Sequence, residues 1–405
     1  MRILTVTNLY PNPFQPQRAT FNREQVRALS RAHQVTVISP IAWTDELAAR
    51  RAGSPPLPRG RRTEWDGVPV EYPRSWFLPR VLRGSYGRFF QWSLAKPFRR
   101  VVREFCPDVV FATWAYPDGW AAIRLGHKAG LPVVLKVHGS DVLELDKHPA
   151  RLHGTAEALR RADRVVAVSR DLATKVLEFG TDPDRVHLIY NGVDHQVFFP
   201  GNRSEARQRV GLDPDRPALL YVGNLVPVKG PDILIEACGL LAKQGTAFDL
   251  HIVGKGPLRP TLERQVADRG IADRTRFHGT IPHDRLPDWF RATTMLVLPS
   301  RSEGVPNVLL EASACGTPFV ASRVGGVPEI AHLGASRLFQ PGDPNQLASA
   351  IAEVLARPPA QPTSQAGRTQ AIVAQELSAV FQSAVQKDPS VASKTLFRPE
   401  VASTI

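Results

Sequence analysis

Short apolar segments rich in β-branched residues alternate with amphipathic helical patterns along this chain, and the alternation limits the fold more than any other feature. In the first half, the strand patterns are residues 3–7, 35–39, 108–113, 133–137 and 164–168. In the second half, they are residues 218–222, 249–253, 276–277, 295–299 and 319–321. Because strands that alternate with helices pair in parallel, each half is predicted to form one sheet wrapped by helices.

The length and the position of polar stretches predict two such domains. A chain of 405 residues is long enough for two domains of about 150–200 residues each. The stretch 199–217 is rich in Arg, Asp and Pro and separates the two series of strands. We therefore place the first domain at residues 1–200 and the second from residue 201 onward, both doubly wound, with a cleft between them. After Lys387 the composition is typical of a disordered tail, which we place at 388–405.

The composition argues against several classes of protein. No segment approaches the roughly 18 apolar residues of a membrane-spanning helix, and the start MRILTVTNLY is expected to be a buried strand, not a signal peptide. Cys106, Cys238 and Cys315 are scattered, which indicates a reducing cytosol without a disulfide framework. The segment after the first strand lacks the GxGxxG motif that a dinucleotide-binding dehydrogenase carries there. No nucleic-acid-binding motif accompanies the net charge of +13.

The positive charge is concentrated in residues 50–103, which contain 13 Arg and Lys residues and three acidic residues. The interleaved aromatic residues are Trp65, Tyr72, Trp76, Phe77, Tyr86, Phe89, Phe90, Trp92 and Phe98. Basic residues mixed with amphipathic aromatic residues are typical of a surface that contacts an anionic membrane, and we predict such a contact. The alternative is a solvated helix face with a few aromatic residues in the core.

Residues 300–316, SRSEGVPNVLLEASACG, carry the clearest functional pattern. Glu303 lies in a short loop after an apolar run, and Pro306 and Asn307 begin a helical pattern that includes Glu311. The N–H groups and the positive dipole end at such a helix start suit a phosphate or a diphosphate. One carboxylate before the anion and one after it would hold two hydroxyl-rich groups, which is the shape of a nucleotide sugar. Alternatively, both glutamates are solvated.

The pattern SxxEGxPNxxxEAxAxGxPxVAxxxGGxPE that starts at Ser300 resembles the donor-binding segment of the family 4 retaining glycosyltransferases, which have the GT-B fold. The resemblance covers roughly residues 1–385. It implies two doubly wound, Rossmann-like α/β domains that face a central cleft, the second at 201–362. It also implies a hinge at 357–362 and a last helix at 363–387 that crosses back onto the first domain.

The resemblance assigns roles in the second domain. Lys229, in the segment YVGNLVPVKG, would grip the diphosphate, Glu303 would hold hydroxyls of the donor sugar, and Glu311 would hold the ribose. The implied donor-binding residues are Asn224, Lys229, Glu303, Gly304, Pro306, Asn307, Val308, Glu311 and Gly254. Asn224 stands where the family has an arginine, and an amide cannot neutralise a phosphate. Either backbone groups compensate or the affinity for the donor is lower; for Lys229, the alternative is an exposed lysine in a turn.

In the first domain, the segment KVHGSD closes a strand and resembles the HGxD motif of the family. The resemblance implies that His138 hydrogen-bonds a sugar hydroxyl and helps to stabilise positive charge at the anomeric carbon. His138, Glu303 and Lys229 are therefore the implied catalytic residues. Asp141 is expected to orient the loop or to cap the next helix.

The loop after the first strand departs from the pattern of the family. The segment PQRATF resembles the P-x-x-G-x-F of one subgroup, but Ala19 occupies the glycine position. Because alanine tolerates fewer backbone conformations, this argues against a close phosphate contact there. Arg18 either replaces that contact with a charge or meets an anionic acceptor, and we place Arg18, Thr20 and Asp141 on the acceptor side.

The resemblance predicts a retaining glycosyltransferase that moves a sugar from a UDP- or GDP-sugar to a glycan or lipid-linked acceptor in bacterial surface polysaccharide synthesis. The N-terminal layout faintly resembles enzymes of capsule and teichuronic-acid-type polymers. We expect the enzyme in the cytoplasm, at the inner face of the plasma membrane, with no metal ion, no cofactor and no nucleic-acid partner. Alternatives are a noncatalytic scaffold, which the departures at Asn224 and Ala19 favour, and a nucleotide-sugar epimerase of the same fold.

Overall fold

The computed structural model describes residues 1–77, 85–145, 149–333, 336–357 and 367–399. It divides the chain into two compact units: unit 1 is Met1–Asn191 with Gln370–Ile405, and unit 2 is Gly192–Thr369. The first boundary thus falls nine residues earlier than the sequence predicts, after Asn191 instead of residue 200. Residues 192–200 belong with unit 2 because the Val193 N–H donates to the Arg368 carbonyl and the Phe198 ring packs against Phe290.

Unit 1 contains an eight-stranded sheet of order β10-β9-β8-β7-β1-β2-β5-β4. Its strands are β1 (Arg2–Val6), β2 (Gln34–Ile38), β4 (Arg62–Trp65), β5 (Val68–Glu71), β7 (Val109–Ala112), β8 (Val133–Val137), β9 (Arg164–Ala167) and β10 (Val186–Leu188). A separate two-stranded sheet joins β3 (Ile41–Ala42) to β6 (Arg74–Ser75). The central strands are parallel, with Leu4 of β1 opposite Thr36 on one side and Val110 on the other. They are largely apolar because both faces of such a sheet are covered, although β1 includes Thr5 and β8 includes Lys136.

Strands β4 and β5, which the sequence analysis did not predict, form an antiparallel hairpin within the basic and aromatic segment. Trp65 lies opposite Val68, and the turn between them is Asp66-Gly67, with φ angles of 53° and 78°. An Asp-Gly pair with positive φ at both positions is the preferred two-residue hairpin turn. The turn signal was therefore present in the sequence, although the surrounding charged residues concealed the strands.

Eight helices surround the sheets of unit 1 within the described ranges. They are α1 (Thr20–Ser30), α2 (Trp43–Arg51), α3 (Tyr86–Phe105), α4 (Trp120–Lys128), α5 (Ser140–Leu143), α6 (Pro149–Arg161), α7 (Arg170–Glu178) and α15 (Gln370–Gln386). The last helix returns to unit 1 from the far end of the chain, and the Phe381 ring meets Phe111 of β7 edge-on at 5.2 Å. In the part of the chain that the structure describes, no helix is long and apolar enough to cross a membrane.

Unit 2 contains a six-stranded parallel sheet of order β13-β12-β11-β14-β15-β16. Its strands are β11 (Ala218–Val222), β12 (Asp249–Val253), β13 (Thr275–Gly279), β14 (Met295–Leu298), β15 (Phe319–Ser322) and β16 (Arg337–Phe339). Its helices are α8 (Arg203–Val210), α9 (Pro231–Lys243), α10 (Arg259–Asp268), α11 (Leu286–Ala292), α12 (Asn307–Ala314), α13 (Val327–Ile330) and α14 (Pro344–Ala356). The prediction of two doubly wound α/β domains is confirmed.

The strand order shows where each unit is built to bind a ligand. Successive connections change direction between β1 and β7 in unit 1, and between β11 and β14 in unit 2. Open parallel sheets bind ligands outside the carboxyl ends of the strands at such a point. The loops after β1, β7 and β8, and those after β11, β12 and β14, are therefore the segments that define candidate sites.

The chain end differs from the prediction of a disordered tail over residues 388–405. Residues 389–395 form a 3₁₀ helix, and the Phe397 N–H donates to the Val186 carbonyl at 2.8 Å with the Phe397 ring buried. Strand β10 is the edge of its sheet, and the chain end covers this edge. Residues 400–405 lie outside the described residues, as does most of the predicted hinge at 357–362.

We predict that Phe397→Ala lowers the free energy of unfolding by about 3 kcal/mol, because it removes a buried aromatic ring from the core of unit 1. Urea unfolding at constant pH measures the change. Val385→Ala, at an exposed position on α15, is the control and should cost less than about 0.5 kcal/mol. Equal effects of the two substitutions would contradict the packing of the chain end.

Candidate active site

The loops at the carboxyl edge of the unit 2 sheet are packed backbone against backbone. Gly254, after β12, has a φ of 142°, and a Cβ there would overlap the carbonyl oxygen of Gly223. Gly325 has a φ of 50°, and a Cβ there would overlap the carbonyl oxygen of Glu303. The Gly326 N–H donates to the Gly304 carbonyl at 2.8 Å. The loops at Gly223 and Gly254 are thus in van der Waals contact with each other, as are the loops at Glu303 and Gly325, which restricts the side chains that project from them.

Lys229 and Glu303 meet at this edge. The Lys229 Nζ donates to Glu303 Oε1 at 2.6 Å, and the Ser300 hydroxyl donates to the same oxygen at 2.6 Å. Glu303 is buried, whereas Lys229 is partly exposed. An ammonium has three donors, so Lys229 keeps two for an anion while one holds Glu303. The structure therefore joins the cation predicted for the diphosphate to the carboxylate predicted for the sugar.

Arg301 fixes the turn that carries Lys229, a role that no sequence pattern indicated. Its guanidinium donates to both carboxylate oxygens of Asp232 and to the Pro227 carbonyl, and its N–H donates to the Val228 carbonyl at 2.7 Å. Asn224, at the position where the family has an arginine, is exposed, and its carbonyl accepts a hydrogen bond from the Tyr221 hydroxyl at 3.0 Å. The guanidinium of Arg301 is committed to Asp232, so it does not supply the charge missing at Asn224.

Helix α12 begins directly after the Glu303 loop. Pro306 precedes it, Asn307 and Val308 form its first turn, and no side chain caps this end. The first N–H groups of a helix have no partner within the helix and attract anions. The start of α12 therefore remains the element predicted to attract an anion, and it follows the Glu303 loop directly.

Glu311 lies one turn further along α12 and contacts His283. The His283 Nε2 is 2.9 Å from Glu311 Oε1, and the His283 ring packs against Phe198 at 5.1 Å. Both Glu303 and Glu311 are buried, so the alternative of two solvated glutamates is wrong. No role for His283 was predicted, because it lies 28 positions before Glu311 and no sequence pattern links the two.

In unit 1, His138 follows β8 on a loop that Asp141 holds in place. One oxygen of Asp141 accepts the N–H groups of His138 and Gly139 at 3.0 and 2.9 Å, and the other accepts the Ala115 N–H at 3.0 Å. The carboxylate therefore orients the loop, one of the two roles expected for it. The His138 ring lies 5.0 Å from the Phe21 ring. Burial, and then the charge of Lys136, holds the pKa of His138 well below its ordinary value, so its imidazole is neutral near pH 7.

Two buried ionisable groups beside His138 were not predicted. Lys136 of β8 donates to the Asn191 side-chain oxygen at 3.0 Å, and burial lowers its pKa to about 7. Asp118 follows β7 and accepts the Asn8 N–H at 3.2 Å, and burial raises its pKa to about 8. A lysine inside the apolar strand VVLKV was a visible signal. Asp118, in a Tyr-Pro-Asp-Gly segment, had the appearance of an ordinary turn residue.

The loop after β1 leads into α1, whose Phe21 packs its ring against His138. Ala19 has a φ of 46°, a left-handed conformation that favours glycine, and Thr20 then begins α1. The Arg18 guanidinium donates to the Gln15 side-chain oxygen at 2.8 Å and lies 3.9 Å from Asp45. Ala19 therefore reproduces the backbone geometry of a glycine in this loop.

Comparison with known proteins assigns both halves of the chain to glycosyltransferase families. Residues 19–197 match the model described as Glycosyltransferase Family 4, and residues 202–370 match Glycosyl transferases group 1. D-inositol 3-phosphate glycosyltransferase 1 of Catenulispora acidiphila is 32% identical over 71% of this chain and 77% of its own length. D-inositol 3-phosphate glycosyltransferase 2 of the same organism is 37% identical over 59% of this chain, and the match spans 60% of that relative.

Solved structures show the same fold. Sucrose-phosphate synthase from Thermosynechococcus elongatus superposes with a TM-score of 0.70 at 22% identity, over 97% of this chain and 96% of its own. HepE from Anabaena in complex with UDP-glucose superposes with a TM-score of 0.68 at 20% identity, over 97% of this chain and 99% of its own. At these identities the likeness establishes the architecture and leaves substrates to other arguments.

We predict that Lys136→Met stabilises the protein at pH 6 by about 2–4 kcal/mol, because the wild-type chain buries a charge there. The lysine binds its proton up to about pH 10.4 when unfolded but only up to about pH 7 when folded. Between these values the unfolded state holds more protons, so wild-type stability rises with pH and the gain from the substitution disappears by about pH 10.

Urea unfolding of both proteins at pH 6, 8 and 10 measures this dependence. Lys128→Met, at an exposed position on α4, is the matched control and should change stability by less than about 0.5 kcal/mol at each pH. A Lys136→Met protein that is less stable than wild type at pH 6 would refute the buried-charge explanation.

Proposed function

This chain belongs to the group 1 glycosyltransferases, with a family 4 domain before the group 1 domain and a GT-B fold, and from this premise we propose that it transfers a sugar from a UDP-sugar to a hydroxyl of a glycan or lipid-linked acceptor with retention of configuration. The observation that carries the proposal is the contact of Lys229 and Ser300 with Glu303 beside the start of α12. These groups combine a cation, a helix N-terminus and a buried carboxylate in one small volume.

The proposed reaction exchanges one bond at the anomeric carbon. The bond from that carbon to the diphosphate oxygen breaks, and a bond to the acceptor oxygen forms on the same face of the sugar. The proton of the acceptor hydroxyl passes to the departing phosphate oxygen. Lys229 and the α12 N-terminus stabilise the negative charge that develops on the leaving diphosphate, so we expect no requirement for a metal ion.

Glu303 serves in this proposal as a hydrogen-bond acceptor for sugar hydroxyls. Its Oε1 already accepts from Lys229 and from Ser300, and a carboxylate held in this way is a poor covalent nucleophile. Same-face attack assisted by the leaving phosphate fits that arrangement better than a glycosyl-enzyme intermediate. In unit 1, the neutral imidazole of His138 would hydrogen-bond a hydroxyl of a sugar substrate.

Glu311 is proposed to bind the ribose hydroxyls, with His283 holding it in position. A hydrogen bond from Nε2 to one carboxylate oxygen leaves the other oxygen to accept from the ribose. UDP is the proposed donor nucleotide because the UDP-glucose complex of HepE shares this architecture.

Two versions of the proposed function differ in the chemical class of the acceptor. Basic residues and a tryptophan exposed on α3, such as Arg88, Lys96 and Trp92, favour a glycan or lipid-linked acceptor in bacterial surface polysaccharide synthesis. The relatives described above are named for D-inositol 3-phosphate, which favours a phosphorylated polyol as the second candidate. They give no support to the faint resemblance to capsule and teichuronic-acid-type enzymes.

We predict that UDP stabilises the protein more than GDP or ADP does, by about 2.7 kcal/mol at 100 times its dissociation constant. Thermal unfolding with each nucleotide measures the effect. Lys229→Met and Glu311→Gln should each abolish most of it, since they remove a phosphate contact and a ribose contact, and Lys229→Arg should retain part. Lys243→Met, an exposed lysine on α9, is the control. Equal shifts in Lys229→Met and Lys243→Met would refute the donor site.

We predict that the product keeps the anomeric configuration of the donor and that excess chelator leaves the rate unchanged. Proton NMR of the product of UDP-glucose and a lipid-linked glycan reads the configuration from the anomeric coupling. D-inositol 3-phosphate is assayed in parallel as the competing acceptor. Transfer to D-inositol 3-phosphate alone would show that the acceptor is a phosphorylated polyol and not a glycan. A product with the opposite anomeric configuration would refute retention.

A further inference from the structure

Helix α3 presents a stripe of basic residues and one tryptophan to the outside of unit 1. The stripe, which we call the α3 stripe, consists of Arg88, Trp92, Lys96, Arg99 and Arg103. Their spacings of four, four, three and four residues place them on one helix face. All five are exposed, and 69% of Trp92 is accessible to solvent. The opposite face is buried through Phe90, Leu94, Phe98 and Val101.

Two further exposed apolar side chains adjoin the stripe. The Trp76 N–H donates to the hydroxyl of Ser93, the residue next to Trp92, at 3.0 Å, and 44% of Trp76 is exposed. The Trp76 ring stacks on Trp43 of α2 at 6.3 Å. Leu47 lies one turn after Trp43 and is 39% exposed. Trp92, Trp76 and Leu47 are three of the seven large apolar side chains exposed in the described ranges, and these contacts link the elements that carry them. Together with the α3 stripe, we treat them as one candidate surface.

The cations of the stripe are not neutralised by acidic neighbours. Within the described residues, no ion pair involves Arg88, Lys96, Arg99 or Arg103. The one acidic residue of α3, Glu104, is paired instead with Arg62 and Arg100. Four charges of one sign are thus available to an anionic partner.

We propose that this surface rests on an anionic lipid bilayer, with the cations at the phosphates and Trp92, Trp76 and Leu47 at the boundary with the acyl chains. Cations together with exposed tryptophan are the combination that binds such an interface. A soluble polyanion would engage the cations but would give the apolar side chains nothing to contact. The inference deepens the proposed function, since it names the surface that would bring the enzyme to a lipid-linked acceptor.

The test is co-sedimentation of the full-length protein with vesicles, without nucleotide or acceptor. We expect binding to phosphatidylcholine mixed with phosphatidylglycerol, little binding to phosphatidylcholine alone, and weaker binding at high salt. The triple variant Arg88→Gln, Lys96→Gln, Arg99→Gln should bind at least about tenfold more weakly. The matched control removes three exposed charges from unit 2, with Lys243→Gln, Arg264→Gln and Arg357→Gln, and should bind like wild type.

Trp92→Ser separates a bilayer from a soluble polyanion. It should weaken binding to the anionic vesicles and leave binding to dextran sulfate unchanged. Equal vesicle binding by the two triple variants, or no loss in Trp92→Ser, would overturn the proposal. The UDP-induced thermal shift, measured on the same preparations, keeps the two proposals apart. A normal UDP-induced shift without vesicle binding would refute only the proposed membrane surface. Vesicle binding without a UDP-induced shift would refute only the proposed donor site.

Discussion

In a parallel sheet every strand ends at the same edge, and the candidate site of unit 2 depends on this. Lys229, after β11, and Glu303, after β14, are 74 residues apart in sequence, yet their side chains lie within 2.6 Å of each other. Close backbone contacts of Gly254 with Gly223 and of Gly325 with Glu303 leave these loops little freedom. In the proposed function, the donors to the diphosphate are therefore fixed before it arrives.

The sequence predicted what depends on local pattern and failed where partners are distant. Buried parallel strands are continuous apolar runs, so the central strands and the α/β class were predicted correctly, whereas the short edge strands β10 and β16 were missed. The half-exposed hairpin of β4 and β5 and the chain end at Phe397 were missed, because their apolar contacts are sparse and surrounded by charge. The motif around Glu303 indicated a donor site, whereas His283 and Arg301 act through contacts that appear only once the loops are folded.

Buried charges have two kinds of partner in this chain. Glu303 of unit 2 is paired with Lys229, and Glu46 of unit 1 is paired with Arg61 and Arg74, so opposite charges compensate each other there. In unit 1, Lys136 has a neutral amide oxygen as its partner and Asp118 a backbone N–H, and burial shifts the pKa values of both toward neutrality. Such groups cost stability that an apolar residue would not, and they concentrate at functional sites. Lys136 and Asp118 lie next to the His138 loop, where a role in ligand binding would account for this cost in stability.

Unit 1 is assembled from both ends of the chain. Helix α15 contributes buried Val373, Leu377, Val380 and Phe381 to a core whose strands all lie before residue 192. A ribosome therefore releases the strands of unit 1 long before the helix that covers them. Unit 2 is continuous and can close its own core first, although it is made second. The apolar surface of unit 1 that α15 covers therefore stays exposed on the nascent chain until α15 has been synthesised.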